Sequence, residues 1–331
     1  MVPLSILDLV RITEATDAHA ALANARDVAA HAEKWGYNRL WVAEHHNMAG
    51  IASAATAVVI GYIAGGTSRI RVGAGGIMLP NHAPYVIAEQ FGTLERLFPG
   101  RIDLGLGRAP GTDQLTLRAL RRAPETSDRF PQDVLELMAY FAPPHAEQRI
   151  VAVPAAGTEI PLWILGSSTF GAMLAAELGL PYAFASHFAP EQLLAALAVY
   201  RSRFKPSEHL ASPYAMVGVN IIAADTDAEA RRLATTQQRS FADLVTGKRG
   251  LSKPPIDDID AYWSGAQKEQ AQRMLARSIV GSPETVRAGI RDLVAETGAD
   301  ELMIVSDVYE HAARLRSLDI IAAAGSLPRD A

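Results

Sequence analysis

Arg108 stands where an apolar run, Arg101-Ile-Asp-Leu-Gly-Leu-Gly-Arg108, gives way to glycine-rich chain. A guanidinium placed there can grip an anion with two parallel hydrogen bonds, and Gly105, Gly107 and Gly111 leave room for one. A second run, Pro161-Leu-Trp-Ile-Leu-Gly166, is followed by Ser167 and Ser168 at a strand-to-helix junction. Their hydroxyls, with the free backbone N–H groups of the first helical turn, form another cradle for negative charge. Together Arg108 and Gly166-Ser167-Ser168 point to a phosphate held between two neighbouring strands. The alternative is an arginine paired to a carboxylate on the rim and serines that only cap a helix, and the residues alone leave both open.

A third run, Arg39-Leu-Trp-Val-Ala, ends in Glu44-His45-His46 and delivers imidazoles that change charge near neutral pH, suited to accepting a proton. Successive residues leaving a strand point opposite ways, so one of the two histidines faces a pocket. Structural histidines without a chemical duty are the alternative. His82 and His187 also fall at strand ends, but no His-x-His or His-Glu-x-x-His spacing is present, so no metal centre is expected. Gly75-Gly76 interrupts a fourth run, 70–79, where bare backbone admits a flat ring or, equally, a bulge or a closely packed helix. Gly105-x-Gly107 resembles the start of a dinucleotide fingerprint, but Pro110 takes the place of the third glycine and a Rossmann site is rejected.

The elements that must position these groups alternate along the chain. Apolar strands beginning near residues 4, 39, 70, 101, 161, 182, 214 and 301 are separated by helical segments, the pattern of a parallel βα fold. Eight strands favour a closed (β/α)8 TIM barrel, whose active sites lie at the C-terminal strand ends, and the residues named above fall there. Two connections are too long for one crossover. Insertions are therefore expected after strand four, at about 111–160, and after strand seven, at about 225–283, within one domain spanning 1–331. Inside the second, the polar, Pro- and Gly-containing stretch 245–265 is a candidate mobile lid. The segment 51–66 is apolar or small on every face, which predicts a helix packed on the sheet on one side and on a second subunit of a homodimer on the other.

Composition narrows the chemistry. The chain has 331 residues, 49% of them hydrophobic, and a formal net charge of −5 with no Lys or Arg cluster longer than a pair. That is no electrostatic footprint for nucleic acid, and a small-molecule partner is expected. There is no cysteine, which excludes disulfides, thiolate nucleophiles, iron–sulfur clusters and Cys-ligated zinc. No apolar run reaches the roughly 20 residues of a membrane span. No basic segment precedes an apolar one at the N-terminus, so a cytoplasmic protein is expected.

Four motifs in combination are recognisable: Trp41-Val-Ala-Glu44-His45-His46-Asn47, Val72-Gly-Ala-Gly75-Gly76-Ile-Met-Leu-Pro80, Pro99-Gly100-Arg101-Ile-Asp-Leu-Gly-Leu-Gly-Arg108, and Leu165-Gly-Ser167-Ser168 before Gly179-Leu-Pro181. Over nearly its whole length the chain resembles the bacterial luciferase-like monooxygenases, and within them the YhbW-like group. The resemblance implies a (β/α)8 barrel that binds reduced flavin mononucleotide (FMN), supplied by a separate NAD(P)H-dependent flavin reductase, and uses O2 to oxygenate a small organic substrate. It also implies that His45 is catalytic, that Arg108 and Ser168, with Ser167 beside it, bind the phosphate, and that a non-proline cis peptide at Gly75-Gly76 lies under the isoalloxazine. Gly107 stands where bacterial luciferase has a reactive cysteine, so thiol effects are absent, and no residue argues for light emission or a long-chain aldehyde. Competing readings are a deazaflavin-dependent hydride-transfer enzyme, a non-catalytic flavin-binding protein and a metal-dependent hydrolase.

Overall fold

The computed structural model describes residues 2–109 and 113–327; Pro110 and Gly111, noted above beside Arg108, lie outside the described residues. Nine strands occur, β1 (Leu4–Asp8), β2 (Arg39–Val42), β3 (Arg71–Met78), β4 (Ile102–Gly107), β5 (Leu162–Gly166), β6 (Tyr182–Phe184), β7 (Ala215–Ala223), β8 (Ile279–Gly281) and β9 (Glu301–Val305). All but β8 form a ring of parallel neighbours: β1 to β7 pair in order, β7 pairs with β9, and β9 returns to β1. This is the closed eight-stranded barrel read from the sequence. The extra strand, β8, extends the end of β7 outside the ring and was not foreseen.

The helices are α1 (Ala18–Lys34), α2 (Thr56–Ala64), α3 (Pro84–Leu97), α4 (Gln114–Ala119), α5 (Phe130–Phe141), α6 (Thr169–Leu178), α7 (Leu193–Arg203), α8 (Asp227–Val245), α9 (Gly265–Met274), α10 (Pro283–Thr297) and α11 (His311–Ala324). Their starts follow local chemistry. Asp17, Thr226 and Ser282 each cap a helix by accepting from a backbone N–H three residues on, and Pro283 opens α10 at the position where its missing N–H costs nothing. The insertion after β4 holds α4 and α5, and that after β7 holds α8, α9 and β8.

Alternation along the strands divides the core in two. Ile6, Leu40, Val72, Leu104, Ile164, Val217 and Ile304 point outward and join the large core shared with the helices. Leu7, Trp41, Trp163, Ala183, Met216 and Met303 point inward and form a separate small cluster. Beneath that cluster, toward the N-terminal ends of the strands, the barrel is plugged by charge. Arg39 donates to Asp103 at 2.7 Å and to both oxygens of Glu301 at 2.9 and 3.1 Å. Trp41 and Arg71 also donate to Asp103, Tyr214 and Ser5 to Glu301. Burial alone would lower the pKa of Arg39, but the two neighbouring carboxylates reverse that and raise it.

Two expectations meet the structure differently. In α2, Val59, Ile60 and Ile63 are buried while Val58 is 74% and Tyr62 42% exposed, so the all-apolar helix does turn a second apolar face outward. The supposed mobile lid at 245–265, by contrast, is tied along its length. Ser252 donates its N–H to Ile12 and accepts from the Glu14 N–H, both at 2.9 Å. Asp243 accepts from Lys253 and Tyr262 at 2.7 and 2.8 Å, and Arg239 donates to the Pro254 carbonyl at 2.6 Å. Several polar groups of the stretch are thus bonded to α8 and to the chain after β1. Backbone bonds from Ile12 to Gly50 and from Ala52 to Val10, both 3.0 Å, add a third segment, so residues 10–14, 50–52 and 252 form a roof beside the barrel mouth. No helix among the described residues is long and apolar enough to cross a membrane.

Arg39→Met would leave Asp103 and Glu301, both fully buried, without their shared counter-charge. The expected loss is about 3–5 kcal/mol of unfolding free energy, read from urea denaturation; an unchanged midpoint would show that the plug does not hold the barrel.

Candidate functional site

The expected phosphate residues come together at the C-terminal ends of β4 and β5. These strands pair with Leu106 opposite Ile164, so going two residues further along each brings Arg108 beside Gly166 and Ser167. Arg108 is exposed and has no carboxylate partner among the described residues; its guanidinium lies 4.0 Å from the centre of the Phe170 ring, in the first turn of α6. Ser168 occupies the cap position of α6 with extended backbone, yet its side chain makes no capping bond. Neither the Ser167 nor the Ser168 hydroxyl has a hydrogen-bond partner among the described residues, while the Ser168 carbonyl accepts from Tyr182 at 3.1 Å. Gly166 is held by its carbonyl, which accepts from the Ala185 N–H at 2.9 Å. Thus the alternative roles, a paired arginine and capping serines, are not what these side chains do. Phe170 escaped the sequence reading because it sits in a run, Thr169 to Leu178, that looks like an ordinary apolar helix.

The peptide between Gly75 and Gly76 is cis, and the β3–β4 register shifts there, from Gly75 opposite Gly105 to Ile77 opposite Leu106. Neither residue has space for a side chain. A Cβ on Gly75 would stand 2.8 Å from Leu7 and 2.9 Å from Trp41, and one on Gly76 would stand 2.6 Å from the Gly105 carbonyl oxygen. The bare backbone therefore faces the inner cluster at the barrel mouth.

The three residues after β2 divide their labour. Glu44 is fully buried and turned toward the end of β3, where the Met78 N–H donates to one oxygen at 2.9 Å. The other oxygen meets Nε2 of His46 at 2.7 Å and Nε2 of His82 at 2.8 Å. Burial alone would raise the Glu44 pKa; the bonds from His46, His82 and Met78 outweigh it and hold the carboxyl down at about 2. The donor atoms of Glu44, His46 and His82 lie within 4.8 Å of one another, a convergence that sequence spacing did not suggest because His82 arrives from the turn after β3. His45 faces away from this group and toward His187, after β6. The His187 ring packs on Gly218, its carbonyl accepts from Asn220 at 2.5 Å, and Gln237 steadies Asn220 at 2.9 Å. Burial, and then the charge on His45, push the His187 pKa down to about 4, so His187 is neutral near pH 7. Of the two adjacent histidines, then, His46 is fixed by Glu44 and His45 is half-buried at the mouth.

The chain is similar to known proteins over nearly its whole length. The family model described as luciferase-like monooxygenase matches residues 2–301. A luciferase-like monooxygenase of Escherichia coli K12 is 51% identical, over 96% of each chain. The crystal structure of apo-MsnO8 superposes with a TM-score of 0.92 at 33% identity, covering 100% of both chains. Two more distant structures share the fold: the oxygenating constituent of 3,6-diketocamphane monooxygenase from Pseudomonas putida in complex with FMN, with a TM-score of 0.74 at 16% identity over 100% of this chain and 99% of that one, and an F420-dependent secondary alcohol dehydrogenase, with a TM-score of 0.70 at 15% identity over 98% of each.

Glu44 makes the acid stability of the protein testable. A carboxyl held at about 2 in the folded chain, against 4.5 when unperturbed, stabilises fully above the higher value and progressively less as pH falls toward the lower. Wild type should therefore exceed Glu44→Gln in unfolding free energy by up to about 3 kcal/mol more at pH ~6 than at pH ~2.5, measured by urea titration. A difference that stays constant across that window would rule the arrangement out.

Proposed function

The chain belongs to the luciferase-like monooxygenase family, and from that premise we propose that it is a flavin-dependent monooxygenase that uses reduced FMN and O2 to oxygenate a small organic substrate. The observation that carries this reading is the Arg108 guanidinium, stacked on Phe170 without a carboxylate partner among the described residues, beside two serine hydroxyls equally uncommitted. Such a set suits a phosphate monoester, which Arg108, Ser167 and Ser168 would hold by hydrogen bonds in the favourable field of the α6 N-terminus. Gly166 keeps that turn open. The cis Gly75-Gly76 backbone offers a flat, side-chain-free surface against which the isoalloxazine can lie.

Bound reduced flavin would supply the two electrons with which one oxygen atom of O2 enters the substrate and the other leaves as water. The protein's own part is positional and protolytic. His45 holds or moves a proton at its imidazole beside the ring, next to a His187 that stays neutral and so does not compete for that charge. The roof of residues 10–14, 50–52 and 252 limits water at the mouth. By the family resemblance, a separate NAD(P)H-dependent reductase would supply the reduced flavin. We place the enzyme in the cytoplasm as a homodimer joined through the exposed Val58 and Tyr62 face of α2.

Anaerobic titration should give saturable binding of reduced FMN, and Arg108→Ala should weaken it about tenfold to a hundredfold, the worth of a charge-assisted phosphate contact of about 1.5–3 kcal/mol. Rapid O2 consumption by the loaded protein, slowed in His45→Ala, separates oxygenation from deazaflavin-type hydride transfer and from passive flavin storage. Affinity untouched by Arg108→Ala would end the proposal. Sedimentation velocity should show a dimer for wild type and a monomer for Val58→Asp, a substitution that costs the isolated subunit little because the site is on its surface.

A further inference from the structure

Directly across the ring from β4 and β5, a cavity of about 120 Å³ opens between the C-terminal ends of β1 and β9. Leu7, Leu9 and Val305 give it an apolar floor continuous with the barrel interior. Leu7 is also the side chain nearest to where a Cβ on Gly75 would stand, so the cavity and the cis peptide share a wall. Two charged residues of the rim, Arg11 and Asp307, face each other in it.

Most polar groups in the lining are already engaged. Asp8 accepts from the Val10 N–H at 2.7 Å and from Arg314 at 3.2 Å, Arg314 also donates to the Ser306 carbonyl at 3.0 Å, His311 meets Asp27 at 2.7 Å, and the Thr13 and Thr16 hydroxyls meet each other at 2.9 Å. Arg11 and Asp307 are different. Arg11 Nη2 lies 3.1 Å from Asp307 Oδ2, close enough for their charges to cancel, yet among the described residues Asp307 Oδ2 accepts no well-aligned hydrogen bond and the buried Arg11 Nε has no acceptor. Asp307 is 6% exposed, so water does not readily make good the deficit. One donor and one acceptor are thus left open side by side; of the charged groups lining the cavity, Arg11 pairs with Asp307, Arg314 with Asp8 and His311 with Asp27 behind it, and Glu310 stands exposed at the edge.

A carboxylate entering this cavity would meet Asp307 and Asp8, and an ammonium would meet Arg11 and Arg314, so net charge gains nothing. An uncharged group that accepts at one atom and donates at the next fits both deficits. We infer that the cavity anchors the substrate through an amide, whose carbonyl oxygen accepts from Arg11 Nε–H and whose N–H donates to Asp307 Oδ2, with the adjoining carbon chain on Leu7, Leu9 and Val305. The reactive end of the substrate then extends past Leu7 toward Gly75-Gly76, which deepens the flavin monooxygenase reading and rests on it for that direction alone. Specificity in this enzyme would come from the β1–β9 side of the mouth and cofactor retention from the β4–β5 side.

The test uses the full chain with four probes of similar size, N-methylacetamide, acetate, methylammonium and 2-butanone, their dissociation constants measured by ligand-observed NMR. N-methylacetamide should bind at least tenfold more tightly than each of the others. Asp307→Ala should weaken it at least fivefold, and so should Arg11→Lys, which keeps the positive charge opposite Asp307 but has no Nε–H; Arg11→Lys also serves should Asp307→Ala not fold. Both variants should bind reduced FMN as wild type does, whereas Arg108→Ala should bind the amide as wild type does. Equal binding of acetate or methylammonium, or an amide affinity unmoved by either variant, overturns the assignment even when FMN binds. Selective amide binding in a protein that takes up no FMN upholds the anchor and overturns only the cofactor reading.

Discussion

Eight strands closed into a ring leave an interior that side chains must fill, and the direction in which each residue points is dictated by a period of two. Everything at the mouth depends on how this chain fills the rest. The lower end is occupied by the Arg39, Asp103 and Glu301 charges and the middle by Trp41, Trp163, Met216 and Met303. Large side chains are thus committed below, and the upper layer is left to Gly75, Ala43, Gly105 and Leu165. Space at one end of the barrel is the counterpart of crowding at the other.

Charge is segregated in the same spirit. The strongly ionised groups, Glu44 and the Arg39 plug, are buried and saturated with hydrogen bonds, so they define geometry rather than meet ligands. On the rim, by contrast, several groups have open valences among the described residues: the Arg108 guanidinium, the serine hydroxyls, Arg11 Nε, Asp307 Oδ2 and the buried Nδ1 of His187.

Much of the ring was legible beforehand, since the start of every ring strand shows as an apolar run bounded by polar or glycine residues. β8 was not: its three residues lie inside a long polar insertion, whereas β6, equally short, is marked by Gly179 and Pro181 just before it. At the site, Arg108, Ser167, Ser168 and the glycine pair announce themselves by type and by position at strand ends. Phe170 does not, since its aromatic ring is chemically indistinguishable from helix core until Arg108 is seen on it. Glu44 and His46 lie two apart on one face and their contact could have been foreseen, but His82 joins them only through a turn whose direction no local rule provides. Polarity identified 245–265 as loop correctly; it could not say that the loop's partners were Ile12, Glu14 and Asp243 rather than water.

The ring has a consequence for how the molecule comes into being. Glu301, which satisfies half of Arg39, belongs to β9, made after the other strands described, and that strand bridges the first and the seventh. A nascent chain that has emitted residues 1 to 300 therefore carries two raw sheet edges and a guanidinium with half its anions missing, however complete its helices are. Closure of the ring thus waits on residues 301–305, and without them β1 and β7 each lose a neighbour.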